Sequence, residues 1–308
     1  PMPFLRLFFL LLLLCVPLTA HSGVTAADFP GTTIWYAHAD LEQMRSSPSG
    51  KKLSDWVNGE VFIEIHEEIG IDVGKETDRI TAFADLERGA VLIVEGPISK
   101  ESRDKVLALA TITTKLDLRS SGGKNYYQFG EENESAASVE NHFDSLEDGG
   151  YFSFDVQHRV IVTSTEDQMK ALLKNGGKIT GMSSHPNALF VLTADRSLVQ
   201  AGLRTDELVD DDDGWDSNIL RNTKQAALLI ADDDGLLAIE AQLVVNEPGM
   251  AESMGGIING LISLQAFNAD LDPEILSLIQ NTKVDVKDST LSISTKVDPA
   301  LIVAILDD

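Results

Sequence analysis

Two stretches of this chain occur twice, in the same order. Ile34-Trp35-Tyr36-Ala37-His38-Ala39-Asp40 returns as Leu189-Phe190-Val191-Leu192-Thr193-Ala194-Asp195. Further on, Asp155-Val156-Gln157-His158-Arg159-Val160-Ile161-Val162-Thr163-Ser164-Thr165 returns as Asp285-Val286-Lys287-Asp288-Ser289-Thr290-Leu291-Ser292-Ile293-Ser294-Thr295. Self-similarity of this kind constrains architecture before any local reading does. It predicts a tandem duplication of one module.

Each copy predicts the same run of elements: strand, helix, hairpin, helix, hairpin, helix. In the first, residues 33–39 are apolar and rich in aromatic and β-branched types, as a buried strand is. Asp40 can cap a helix over 41–45, and Pro48 opens another containing Leu53, Trp56 and Val57. Residues 61–69 alternate weakly, but their acids favour a helix ending at Gly70. Residues 79–85 and 90–95 form a hairpin through Arg88-Gly89. Residues 99–110 form an amphipathic helix, with Val106, Leu107 and Leu109 on its apolar side. A short strand at 126–129 precedes a polar excursion at 130–149. A hairpin over Gln157-His158 and a helix at 166–173, stopped by Asn175-Gly176-Gly177, close the module. The second copy has its strand at 188–194 and an acidic loop at 206–216. A hairpin over Asp233-Asp234-Gly235 and a helix at 248–267 follow. A hairpin over Asp288-Ser289 and a helix at 299–306, with Pro299 in its first turn, end it. The expected fold is α+β: two similar modules, 27–175 and 188–308, joined by a linker at 176–187. Each is a mainly antiparallel sheet with helices on one face.

Residues 1–26 read as a secretory signal. Arg6 precedes the apolar run 7–16, Pro17 breaks it, and both Leu18-Thr19-Ala20 and Val24-Thr25-Ala26 suit a small-residue cleavage site. The run is about ten residues, against the roughly 20 that a spanning helix needs. An uncleaved anchor and a lipid anchor at Cys15 are the alternatives; Leu14 stands where the latter calls for a small residue. Cys15 is the single cysteine. Cleavage would leave no thiol for a disulfide, a metal or a nucleophile, and a chain of this length can bury enough core without them. The expected location is the periplasm or the extracellular space.

The formal net charge is −25. That balance argues against nucleic acid or an anionic lipid surface as partner. Residues 225–282 contain no Lys or Arg, and 205–220 carry seven acids and no base. Solubility is the ordinary use of such charge.

The chemistry-bearing residues are sparse. No two of the six histidines have the spacing that places two imidazoles on one helical face. There is no nucleophile elbow and no Ser-x-x-Lys box in a workable frame. Gly122-Gly123-Lys124 lacks the first half of a phosphate loop. Asp210, Asp211, Asp212 and Asp213 offer oxygen ligands for Ca²⁺, although the bidentate Glu of an EF-hand is missing, since Leu220 stands at its place. Asp232-Asp233-Asp234-Gly235 reads instead as a hairpin turn. The helix from Pro248 is unusual in having no charge over 253–269. Its stripe of Met250, Met254, Ile257, Ile258, Leu261 and Ile262 fits a core helix, with Gly256 and Gly260 admitting close contact. A lipid-facing helix is the alternative, but its apolar residues are interrupted too often to span a membrane.

Ile69-Gly70-Ile71-Asp72, the stretch Asp78-Arg79-Ile80-Thr81 before a hydrophobic hairpin, and the strand-turn-strand-helix ending over 285–306 resemble a group of exported bacterial proteins of uncharacterised function. The resemblance implies an exported start followed by two related α+β halves. It implies no catalytic residues.

The sequence therefore predicts an exported, non-enzymatic binding or scaffolding protein, taking an unknown protein or small ligand. Trp35, Tyr36 and His38 are the candidate ligand residues, because clefts form between modules. A peripheral envelope protein binding a lipid or other apolar ligand is the second reading, resting on the helix from Pro248. An unrecognised hydrolase is the third. No cofactor is expected apart from the Ca²⁺ candidate.

Overall fold

The computed structural model describes residues 33–85, 88–130, 149–179, 187–195, 222–265 and 273–307. The expected signal segment, the excursion at 131–148, most of the linker and the acidic loop with Asp210, Asp211, Asp212 and Asp213 lie outside the described residues. The fold is α+β, built on antiparallel sheet.

The first half of the chain forms β1 (Thr33–Asp40), α1 (Leu41–Ser46), α2 (Pro48–Trp56), a π-helical stretch (Val57–Phe62), α3 (Ile63–Ile69) and α4 (Val73–Glu76). It continues with β2 (Arg79–Asp85), β3 (Gly89–Glu95), α5 (Lys100–Thr113), β4 (Leu116–Ser121), β5 (Lys124–Gly130), β6 (Gly149–Val156), β7 (Arg159–Thr163) and α6 (Glu166–Lys174). The second half forms β8 (Ala188–Asp195), β9 (Thr223–Asp233), β10 (Leu236–Val245), α7 (Pro248–Gln265), α8 (Pro273–Gln280), β11 (Lys283–Lys287), β12 (Thr290–Val297) and α9 (Pro299–Asp307). Three of these, α4, β4 and α8, have no counterpart among the sequence expectations.

Two compact units result. One comprises Ala26–Glu42 and Asn58–Ser184, the other Gln43–Val57 and His185–Asp308. The contiguous modules expected from the sequence differ from these units at Gln43–Val57. That segment holds α2, which packs on β9, β10 and α9. The reason is visible at its start. Ser47 caps α2 by accepting from the Gly50 amide at 3.1 Å, and Pro48 fits the first helical position. The free Ser49 amide and hydroxyl then both donate to the Asp232 carboxylate, the amide at 3.1 Å. A carboxylate at a helix N-terminus meets unpaired N–H groups and the positive end of the dipole. Midway along α2, Lys52 pairs with Asp298 at 2.9 Å.

In the first unit the strands lie in the order β1-β2-β3-β7-β6-β5-β4, and in the second β8-β9-β10-β12-β11. The first five positions correspond one to one: a lone strand, a hairpin, then a hairpin whose second strand returns beside the first hairpin. The hairpin turns correspond too. Gly89 and Gly235 take φ of 89° and 87°, while His158 and Asp288 take 57° and 52°. Among the described residues, the extra pair β4–β5 extends the first sheet only.

Helices α2 and α7 of the second unit share one sheet face. Asp232 pairs with Leu237, and α7 sits on Val245, Leu291 and Ile293, which alternate onto the same face as Leu237. The opposite face carries Glu240, Gln242, Ser292 and Lys296 on β10 and β12, while Val191, Thr193 and Leu229 on the same face of β8 and β9 are buried. In the first unit α6 packs on β4, β6 and β7. The face away from it is crossed by a row of cross-strand neighbours: Ala82, Leu92, Val162, Phe152, Tyr127 and Leu118.

Candidate functional site

Strand β1 supplies the ligand residues that the sequence nominates. Its register pairs Trp35 with Ala84, Tyr36 with Phe83 and His38 with Thr81. Alternation places Trp35 on the face opposite to Tyr36 and His38. Tyr36 and His38 stack in parallel, with ring centroids 6.2 Å apart. The His38 Nδ1 lies 2.8 Å from the Thr81 hydroxyl. Trp35 and Tyr36 are buried. Burial, aided by the Glu95 charge, pushes the Tyr36 phenol well above its usual range and keeps it neutral. Beyond His38 the strand ends in an ion-pair cluster: Arg79 bonds Asp40 at 3.1 Å and Glu42 at 2.7 Å. The three candidates thus do not converge on one surface, and Trp35 and Tyr36 serve packing. The other described histidines are scattered: His66 is on α3 and His158 in the β6–β7 turn.

A second polar cluster gathers on α6. Glu166, in its first turn, accepts from Arg119 at 2.5 Å, Lys170 at 2.5 Å and the Tyr126 hydroxyl at 2.9 Å. Arg119 also bonds Gln128 and lies over the Tyr151 ring, 5.6 Å from its centroid. Burial alone would raise the Glu166 pKa, but the bonds from Lys170, Arg119 and Tyr126 outweigh it and hold the carboxyl at about 2. The cluster ties β4 and β5 to α6. Three donors share the one Glu166 carboxylate, which suits a clamp. Among the described residues no group of three or more His, Cys, Asp or Glu is placed to hold a metal ion.

Helix α7 is different in kind. Ala251, Met254 and Gly255 are buried against the sheet, and a Cβ on Gly255 would lie 2.6 Å from Val286 Cγ2. The space beneath the helix is therefore filled. Gly256 and Gly260, expected to admit close contact, face open space, with nothing within 4 Å. From there the apolar residues turn outward: Ile257, Leu261 and Leu264 are 42%, 50% and 71% exposed. Their spacing of four and three residues aligns them on one helical face. Helix α5 occupies the matching place after the first hairpin of its own unit. Leu109, expected on its buried side, is exposed, and Ile112 is 84% exposed. No described helix is long and apolar enough to cross a membrane. Of the stripe that the sequence assigns to a core, Met254 is buried and Met250 and Ile258 pack against that core, whereas Ile257 and Leu261 are exposed.

No family model matches this chain, and no curated protein matches it. Among solved structures, TP0453 in crystal form III aligns over 93% of this chain and 98% of its own, at 10% identity and a TM-score of 0.44. Crystal form IV gives the same values. Crystal form I aligns over 89% and 92%, at 11% identity and a TM-score of 0.41.

Proposed function

We propose that this chain is an exported binding protein without catalytic activity, and that its binding surface is the outward apolar face of α7. One observation carries the reading: Ile257, Leu261 and Leu264 face solvent on a helix whose single charge is Glu252. Covering the exposed part of each would yield roughly 1–2 kcal/mol, before the cost of association. The corresponding strand orders and turns of the two units support a tandem duplication behind this design, and the targeting pattern of residues 1–26 supports export.

A second reading makes the partner a lipid surface, with the protein peripheral to an envelope membrane. Helix α5 favours it, because Leu109 and Ile112 repeat the outward apolar pattern in the other unit. Since 225–282 has no Lys or Arg, an uncharged surface suits α7 better than an anionic one. Uptake of a ligand beneath α7 gains no support, because Gly255 already touches the sheet there.

The test is co-flotation of the full chain with phosphatidylcholine vesicles, beside the variant Leu261→Asp/Leu264→Asp. Flotation lost in the variant supports the lipid reading. If neither floats, a protein or small apolar partner remains. Equal binding of an apolar dye such as anilinonaphthalene sulfonate by wild type and variant would sink the α7 surface altogether.

A further inference from the structure

In a chain with 24 bases against 49 acids, a concavity lined by lysines stands out. Ser121, Gly122 and Lys124 at the β4–β5 turn, with Lys170, Leu173 and Lys174 of α6, line a half-open cavity of about 520 Å³. That volume lies within the usual range for small-molecule sites.

The ordinary use of lysines near a helix C-terminus is to neutralise its last carbonyls. Lys124 does this, donating to the Leu173 carbonyl at 2.6 Å. It accounts for one of the three. Lys170 pairs with Glu166, but that carboxylate also serves Arg119, so one negative charge is shared by two positive ones. Lys174 follows Lys170 by one helical turn and is exposed. With Asp167, whose charge also reaches Lys170, counted in, the four bases Lys124, Lys170, Lys174 and Arg119 stand against the two acids Glu166 and Asp167, a smaller positive surplus beside the cavity.

The turn adds a second feature. Gly122 and Gly123 both take positive φ, 57° and 78°, the pattern of a two-residue type I′ hairpin. A Cβ at either would meet nothing within 4 Å. The backbone at this rim is open to close approach by a ligand, as glycines allow.

We propose that this cavity binds a small multivalent oxyanion, a polycarboxylate or a phosphate ester, through Lys124, Lys170 and Lys174. The site is independent of the apolar face of α7, and neither proposal needs the other.

The experiment is isothermal titration of the full chain with citrate and, separately, with inorganic phosphate. Ionic strength is held at about 0.15 M with sodium chloride, so that distant acids are screened. The expected result is saturable binding of at least one of the two, weakened about tenfold or more in Lys170→Gln/Lys174→Gln. Lys174→Gln alone, at an exposed position, gives a partial loss with the fold intact by circular dichroism. Heats matching the sodium chloride control, or the same affinity in wild type and both variants, would overturn the site. Preference for citrate over phosphate assigns a polycarboxylate; the reverse assigns a phosphate ester.

Discussion

Three glycines of α7 can be told apart by one substitution each. Replacing a helical Gly by Ala gains up to about 1 kcal/mol from backbone entropy, provided the methyl has room. Gly256 and Gly260 have room, with nothing within 4 Å of a built Cβ. Gly256→Ala and Gly260→Ala should each stabilise the protein by nearly that amount. At Gly255 the methyl would lie 2.6 Å from Val286 Cγ2 and 3.5 Å from Leu291 Cδ1. Overpacking of this sort costs about 1–3 kcal/mol, so Gly255→Ala should lose about 1 kcal/mol net. The contrast between neighbouring positions is then about 2 kcal/mol, or several degrees of melting temperature. Thermal and urea unfolding of the three variants, followed by circular dichroism, measures it. Shifts of equal sign and size at 255 and 256 would refute the seating of α7 on β11 and β12. They would also remove the reason for calling Ile257, Leu261 and Leu264 outward.

Two further perturbations probe the polar contacts. The Glu166 carboxyl is held at about 2, below its ordinary 4.5, so its stabilisation is complete above about 4.5 and fades as pH falls towards 2. Discounted for its partial exposure, it amounts to about 1–2 kcal/mol. Glu166→Gln should flatten the acid limb of the stability profile, and an unchanged limb would place the acid sensitivity elsewhere. Asp232→Ala should cost about 1–2 kcal/mol by stripping the partner from the Ser49 amide and hydroxyl. Hydrogen exchange should quicken at the first amides of α2 while β5 and β6 stay protected; unaltered exchange in α2 would contradict the clip.

Much of this fold was legible because its elements are marked locally. Ser47-Pro48 starts α2, Ser99 caps α5, and Gly70 ends α3 in the left-handed conformation. The hairpin turns at Gly89, His158, Gly235 and Asp288 fell where their residues predicted. Strand β4 escaped because Leu116-Asp117-Leu118-Arg119 is a short edge whose leucines are not buried: Leu118 is 64% exposed. Its alternation is real, yet it reports pairing with β5 rather than a core. Helix α8 escaped although Pro273 and the apolar pairs Ile275-Leu276 and Leu278-Ile279 mark it. Nothing local reveals that α2 packs on strands from the other half. That depends on Asp232, 183 residues away, accepting from Ser49.

The acidic turn of β9–β10 shows why composition misleads about sites. Three consecutive aspartates invite a calcium loop, yet each has a separate task. Asp232 receives the N-terminus of α2, Asp233 pairs with Lys296, and Asp234 takes the positive φ that the turn demands. The lysines at the β4–β5 turn show the converse. Gly122-Gly123-Lys124 fails as a phosphate loop because it joins two strands, and no helix N-terminus follows to supply N–H groups. The hairpin instead brings Lys124 to Lys170 and Lys174, which are nearly fifty residues further along and unremarkable in an amphipathic helix. The charge of a site is thus a property of what the topology collects. In a chain this acidic, a local surplus of lysine around a cavity is a more specific signal than any run of aspartates.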